Sequence, residues 1–218
     1  MDFELILIAI GRQPNVENLD CEAAGVDFSM EGIKVNKHLR TSNKNVFAVG
    51  DCLPGFKFTH NSDIHARYVV RNALFFGNQD YTAINLPYCT YSDPEVAQVG
   101  FNEVQLKEQS IPYDVYQRSF DHLDRALCEG KQGLYKIFCK KDSDKIIGAT
   151  LVGGPAGDLI VNVTAAMHND IGLSKLGACV HPYPTYAEVF RGMADAFNKT
   201  KLRPSVKSLI RGLLAIKR

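Results

Sequence analysis

Three groups of residues in this 218-residue sequence have the types and spacing to do chemistry. The first is Gly50-Asp51, at the end of the run Val46-Phe47-Ala48-Val49 and behind Thr41 and Asn45. That run reads as a buried strand delivering an aspartate at its carboxyl end, the place where ligands bind in open α/β sheets. Gly50 lets a ligand approach the backbone, and Asp51 offers two acceptor oxygens to ribityl or ribose hydroxyls. An aspartate after a glycine can also simply cap a turn or helix, so its role depends on its surroundings.

The second group is Phe58-Thr59-His60. Thr59 is a good N-cap, Asp63 falls in the first turn, and Ile64, Tyr68, Val69, Ala73 and Phe76 recur at helical spacing. The pattern predicts a helix of about 17 residues whose positive end would favour negative charge on a ligand. His60 is expected to supply its backbone N–H rather than its imidazole. The third group is the Pro-rich turn His181-Pro182-Tyr183-Pro184-Thr185-Tyr186-Ala187-Glu188, which combines titratable side chains with a rigid backbone.

Order and spacing match a family. Glu4 to Asn15 reads as an apolar strand, Leu5 to Ile10, that ends in a Gly11-Arg12-x-Pro14-Asn15 turn, and Thr41-(x)4-Val46-Phe47-Ala48-x-Gly50-Asp51 follows. Together they resemble the later FAD-binding segment of the pyridine-nucleotide disulfide oxidoreductases. The resemblance implies that Asp51 holds the FAD ribityl chain and that Thr59 and His60 turn backbone N–H groups toward the flavin. Further on, Tyr88-Cys-Thr-Tyr-Ser-Asp-Pro-Glu95-Val-Ala-Gln-Val-Gly100 resembles the opening of the family's interface, or dimerisation, domain.

In disulfide reductases of this family the turn reads His-Pro-Thr-x-x-Glu, and its histidine is an acid/base group that crosses into the partner subunit. Aligning Pro184-Thr185 and Glu188 with it puts Tyr183 at the histidine position, with His181 two residues too early. A tyrosine of pKa ~10 cannot cycle protons near neutral pH as a histidine of ~6.5 can, so the usual dyad is expected to be absent. Tyr183 and Glu188 inherit the catalytic position by resemblance. A tyrosine here points to a mercuric-reductase-like branch, although the carboxyl-terminal vicinal cysteines of that branch are missing. Two alternatives stay open: His181 swings into the site, or Pro182 and Pro184 merely stiffen a turn.

The sequence contains no Gly-x-Gly-x-x-Gly fingerprint and no Cys-(x)4-Cys pair; Cys21, Cys52, Cys89, Cys128, Cys139 and Cys179 are too far apart. The chain therefore reads as the carboxyl-terminal half of a longer FAD- and NAD(P)H-dependent enzyme, inactive alone, with Met1 either an internal methionine or an artificial start. A free-standing dimerisation module and a subunit of a split flavoenzyme, completed by a missing amino-terminal half, are the competing readings.

Composition sets limits. At 45% hydrophobic, 22% charged and net charge +1, the chain can bury a core and carries no electrostatic commitment to nucleic acid. It has no apolar run of 18 residues and no signal peptide. Six cysteines without framework spacing read as reduced, mostly buried thiols in the cytoplasm, and none has zinc-ligand spacing.

The elements expected to position these residues are α/β followed by α+β. Residues 1–82 are expected to be the remnant of an FAD-binding Rossmann-like region, and residues 83–218 the dimerisation domain of a homodimer. Asn102 caps a short helix to Gln109. Strands are predicted at Tyr113 to Arg118, Gly133 to Lys140 and Lys145 to Val152, the last two forming a hairpin around Lys141-Asp-Ser-Asp144. Leu159, Val163, Ala166 and Met167 mark a packed helix, with a second near Ser174 to Ala178. The basic amphipathic stretch Ser205 to Arg218 is read as a docking helix burying Val206, Leu209, Ile210, Leu213 and Leu214 rather than a membrane-surface helix.

Overall fold

The computed structural model describes residues 3–216 and divides into two compact units, Met1–Ile84 and Asn85–Arg218. The first is built around a small cluster of Cys21, Val26, Ile33, Leu39, Ala48 and Leu53. Its regular elements are a two-stranded antiparallel sheet, β1 (Phe28–Ser29) with β2 (Gly32–Ile33), and one long helix, α1 (Thr59–Leu74).

The expected strands of this unit differ from the structure. Residues 5–10 form neither helix nor strand, and Leu5, Leu7 and Ile10 are 90%, 92% and 95% exposed. A strand exists only by pairing its N–H and C=O groups with a neighbour, and no described segment of this unit lies beside this run. The Val46–Val49 segment pairs only with its own approach. Phe47 bridges Arg40, Thr41 N–H donates to the Val46 carbonyl at 3.0 Å, and Ala48 N–H to the Leu39 carbonyl at 3.1 Å. Thr41 Oγ1 adds a bond to the same Val46 carbonyl at 3.0 Å, which explains that residue locally.

Helix α1 is close to its expected length but differs at both ends. Phe58, not Thr59, is the N-cap; Thr59 is the first helical residue, and no side chain caps the helix. The first turn holds no acidic residue, because Asp63 lies beyond it and bonds Arg67 at 2.8 Å instead. The buried side chains are the polar Asn61 and His65; Ile64, Tyr68 and Val69 are half-buried, whereas Ala73 and Phe76 are exposed.

The second unit carries a five-stranded antiparallel sheet in the order β3-β4-β7-β6-β5: β3 (Tyr88–Thr90), β4 (Val96–Gly100), β5 (Tyr113–Ser119), β6 (Leu134–Lys140) and β7 (Ile146–Val152). The β6–β7 hairpin is present, with a bulge between Phe138 and Cys139. Among the described residues six α-helices accompany it: α2 (Glu103–Glu108), α3 (Asp124–Glu129), α4 (Ala156–His168), α5 (Leu173–Ala178), α6 (Val189–Thr200) and α7 (Pro204–Ile216). Helix α2 starts at Asn102, whose side chain accepts from Gln105 N–H at 2.9 Å while the Gln105 side chain accepts from Asn102 N–H at 3.0 Å. This reciprocal box satisfies two N–H groups that the helix cannot.

Burial follows the apolar periods. Helix α4 buries Ala156, Ile160, Val163 and Ala166, with Leu159 and Met167 packed at the edge of the core. Helix α6 buries Val189, Phe190, Met193, Ala194 and Phe197, one face of an amphipathic helix. These meet Val99, Tyr135, Ile137 and Leu151 of the sheet in a single core. A Cβ on Gly177 of α5 would stand 2.2 Å from the Ala194 Cβ, so the α5–α6 crossing depends on that hydrogen.

Two further expectations are settled or bounded here. Only Cys21 and Cys139 are buried; Cys52 and Cys89 are half-buried, and Cys128 and Cys179 exposed, so the thiols are not mostly buried. The C-terminal stretch is helical, and Val206 is 37% exposed, but the packing expected of Leu209, Ile210, Leu213 and Leu214 lies outside the described side chains. Among the described residues no helix is long and apolar enough to cross a membrane.

Candidate functional site

In the first unit the structure draws the two sequence motifs together. Gly50 opens a single 3-10 turn, Gly50–Cys52, at φ +76°, where a side chain would be strained and a Cβ would lie 2.8 Å from Ser62 Oγ. Asp51 follows on the surface. Its Oδ2 faces Arg12 Nη1 at 3.6 Å, and its Oδ1 accepts from Ser62 Oγ at 3.5 Å. Arg12 is held by a second bond, donating to the Lys57 carbonyl at 3.1 Å. The Gly-Arg-x-Pro-Asn turn and the Gly-Asp turn thus meet through an ion pair near the start of α1.

Behind them sits a residue that sequence reasoning missed. His65, 3% exposed, accepts from Gly50 N–H through Nδ1 at 3.4 Å and meets the Tyr81 ring edge-on at 5.2 Å. Burial pushes its pKa down, in keeping with a neutral ring whose Nδ1 is the acceptor. Its signal was a lone polar residue on what an apolar-face reading took as core. Ser62 and Arg12 were likewise not singled out for their side chains.

Thr59 and His60 open α1 beside this cluster. The His60 ring stacks on Phe58 at 5.3 Å, nearly parallel. The Asp51 carboxylate is half-exposed and its two contacts are both long, so it retains acceptor capacity for hydroxyl donors. A backbone turn that favours glycine, a carboxylate with acceptor capacity to spare and a helix start without a side-chain cap fit a polyhydroxylated, anion-bearing cofactor such as FAD.

In the second unit Tyr183 and Glu188 line one cavity of about 330 Å³, together with Arg118, His122, Asp124 and Arg191. Tyr183, 70% exposed, donates its phenol to Asp124 Oδ2 at 2.7 Å, and that bond raises its pKa. Glu188 accepts from Thr185 N–H at 3.1 Å, while Thr185 Oγ1 donates to the Pro182 carbonyl at 2.7 Å. The turn is therefore closed upon itself. Tyr186 points inward and donates to Glu129 Oε2 at 2.6 Å; burial, then that carboxylate, pushes its pKa up to about 12.

His181 lies within electrostatic reach of Glu188 and Arg191 but bonds neither of them. Its Nε2 is buried without a hydrogen-bond partner among the described residues, its ring lies 6.2 Å from that of Phe190, and burial lowers its pKa. Burial thus favours the neutral ring, against the opposing pull of Glu188.

Comparison with known proteins identifies the family. Residues 86–194 match the pyridine nucleotide-disulphide oxidoreductase dimerisation domain, and residues 1–66 match the pyridine nucleotide-disulphide oxidoreductase domain. The chain belongs to the pyridine nucleotide-disulphide oxidoreductase family. It is 30% identical to a dihydrolipoyl dehydrogenase of Staphylococcus aureus over 197 residues, 89% of this chain and 42% of that protein. To a mercuric reductase of the same species it is 32% identical over 201 residues, 91% of this chain and 37% of that protein. The HOCl-induced flavoprotein disulfide reductase RclA from Escherichia coli superposes with a TM-score of 0.78 at 26% identity, covering 86% of this chain and 44% of that one. The chain spans less than half the length of these relatives.

Proposed function

We propose that this chain is the carboxyl-terminal part of an FAD- and NAD(P)H-dependent oxidoreductase of the disulfide or mercuric reductase type. In this reading residues 1–82 contribute flavin contacts and residues 83–218 form the interface of a cytoplasmic homodimer. The observation that carries it is the meeting of Arg12, Gly50, Asp51, Ser62 and His65 at the start of α1. Asp51 would accept from ribityl hydroxyls, Gly50 would let the backbone come close, and the Thr59 and His60 N–H groups would face the flavin. FAD bound there would supply the two-electron relay between NAD(P)H and a disulfide. His65 holds the Gly50 turn, and Tyr183 with Glu188 would reach the redox centre of the second copy.

The near-equal identities to the dihydrolipoyl dehydrogenase and the mercuric reductase, 30% and 32%, leave the tyrosine at 183 as the argument for a mercuric-reductase-like branch. The exposed apolar run at residues 5–10 favours a second reading, a subunit of a split flavoenzyme whose amino-terminal half supplies the missing strand partner.

The test is an FAD titration of the purified chain, read by flavin fluorescence. Saturable binding that weakens about tenfold in Asp51→Ala is expected, the equivalent of about 1.4 kcal/mol and about the net worth of one hydrogen bond. No saturable binding, or identical binding by Asp51→Ala, would sink the assignment of the flavin contacts.

A further inference from the structure

We propose that Asp124 is the positioning residue for Tyr183, and that α3 clamps the Pro-rich turn at two points, through Asp124 at its first residue and Glu129 at its last. The proposal rests on the reading of Tyr183 as a group that reaches a redox centre. Its argument is geometric. Tyr183 and Tyr186 stand three residues apart in the turn and donate to carboxylates five residues apart in α3, at 2.7 Å and 2.6 Å. One tyrosine is exposed and the other buried, so the clamp joins the turn's outer edge to its inner one.

The need for such a clamp follows from the sequence. A phenol carried by a turn and 70% exposed has two side-chain torsions free to wander unless something holds its far end. No other side chain bonds Tyr183 Oη among the described residues, so its direction depends on Asp124. The turn's remaining bonds, Thr185 to Glu188 and to Pro182, shape the backbone and leave the phenol alone. Glu129 is itself fixed by Arg125 one helical turn earlier, which keeps the inner anchor rigid.

A phenol that donates to a carboxylate stays protonated well above neutral pH, because ionising it would set two anions in contact. Tyr183 then presents a fixed neutral hydroxyl, a hydrogen-bonding surface in place of the proton-cycling group of the His-Pro turn. The other charged or titratable groups around it are Glu188 and Cys128, which oppose its ionisation, and Arg118, His122, Arg191 and Asp195 on the walls of its cavity.

The experiment is a pH titration of the full chain carrying tyrosine labelled with 13C at the ring carbon bearing oxygen, with Tyr183→Phe assigning the resonance. Tyr183 is expected to titrate above the ordinary tyrosine value and to fall toward it in both Asp124→Asn and Asp124→Glu, since the longer side chain misplaces the acceptor. Glu129→Gln is expected to move Tyr186 instead. An unchanged Tyr183 titration in Asp124→Asn, with the other resonances showing an intact fold, would overturn the proposal. The FAD titration can fail without touching this result, so the two readings fall separately.

Discussion

At the scale of single residues, Glu188 carries more structural weight than Tyr183 although both line one cavity. Glu188 closes its own turn by accepting the Thr185 N–H, so Glu188→Ala should destabilise the second unit by about 1 kcal/mol in urea unfolding. Tyr183→Phe removes a bond between two exposed groups and should cost less than about 1 kcal/mol. Failure of either variant to fold would show that the turn is a structural core feature and end its candidacy as a site. His65 makes a pH prediction of definite sign. Its folded pKa lies below its ordinary 6.5, so its contribution to stability is complete above that value and is lost as pH falls through the folded pKa. Native-state hydrogen exchange should therefore show the first unit loosening between neutral pH and pH 5, with a shallower slope in His65→Phe. His181 acts with the same sign in the second unit.

Elements whose instructions are local were legible in the sequence, and those that depend on a distant neighbour were not. Asn102 and Gln105 carry the whole cap of α2 in four residues, and the Lys141–Asp144 turn cluster fixes a hairpin by itself. The apolar runs at residues 5–10 and 46–49 read as strands and are not, because a strand needs a partner that no local pattern supplies. Of the candidate site, Gly50, Asp51, Thr59, His60, Tyr183 and Glu188 were named by motif. Ser62, His65 and Asp124, and the side-chain contact of Arg12, were not, because they act through contacts 11 to 59 residues away in the chain. The α5–α6 crossing makes the same point for packing. Nothing in Leu-Gly-Ala marks Gly177, yet Gly177→Val would force a branched side chain against Ala194 and should cost about 1–3 kcal/mol, read as a lowered urea midpoint. A neutral outcome would mean that α6 can retreat from α5.

For the molecule as a whole, the two units differ in what they can sustain alone. Among the described residues the core of the second unit joins four helices to four strands, whereas that of the first is six small or aliphatic side chains. Buried apolar area is the main source of folding free energy, so the second unit should carry the chain's slowest-exchanging amides. The first leaves the apolar side chains of residues 5–10 in solvent with no strand beside them. Such a run is the kind of edge that captures other chains. Two solution measurements together test the assembly. Sedimentation at micromolar concentration should find a dimer, and exchange read by mass spectrometry should find the amides of residues 5–10 unprotected in that dimer. A strict monomer would remove the interface assigned to residues 83–218. A dimer in which residues 5–10 are protected would place the contact on that apolar run, and Leu5→Lys with Leu7→Lys should then dissolve it while leaving the second unit folded.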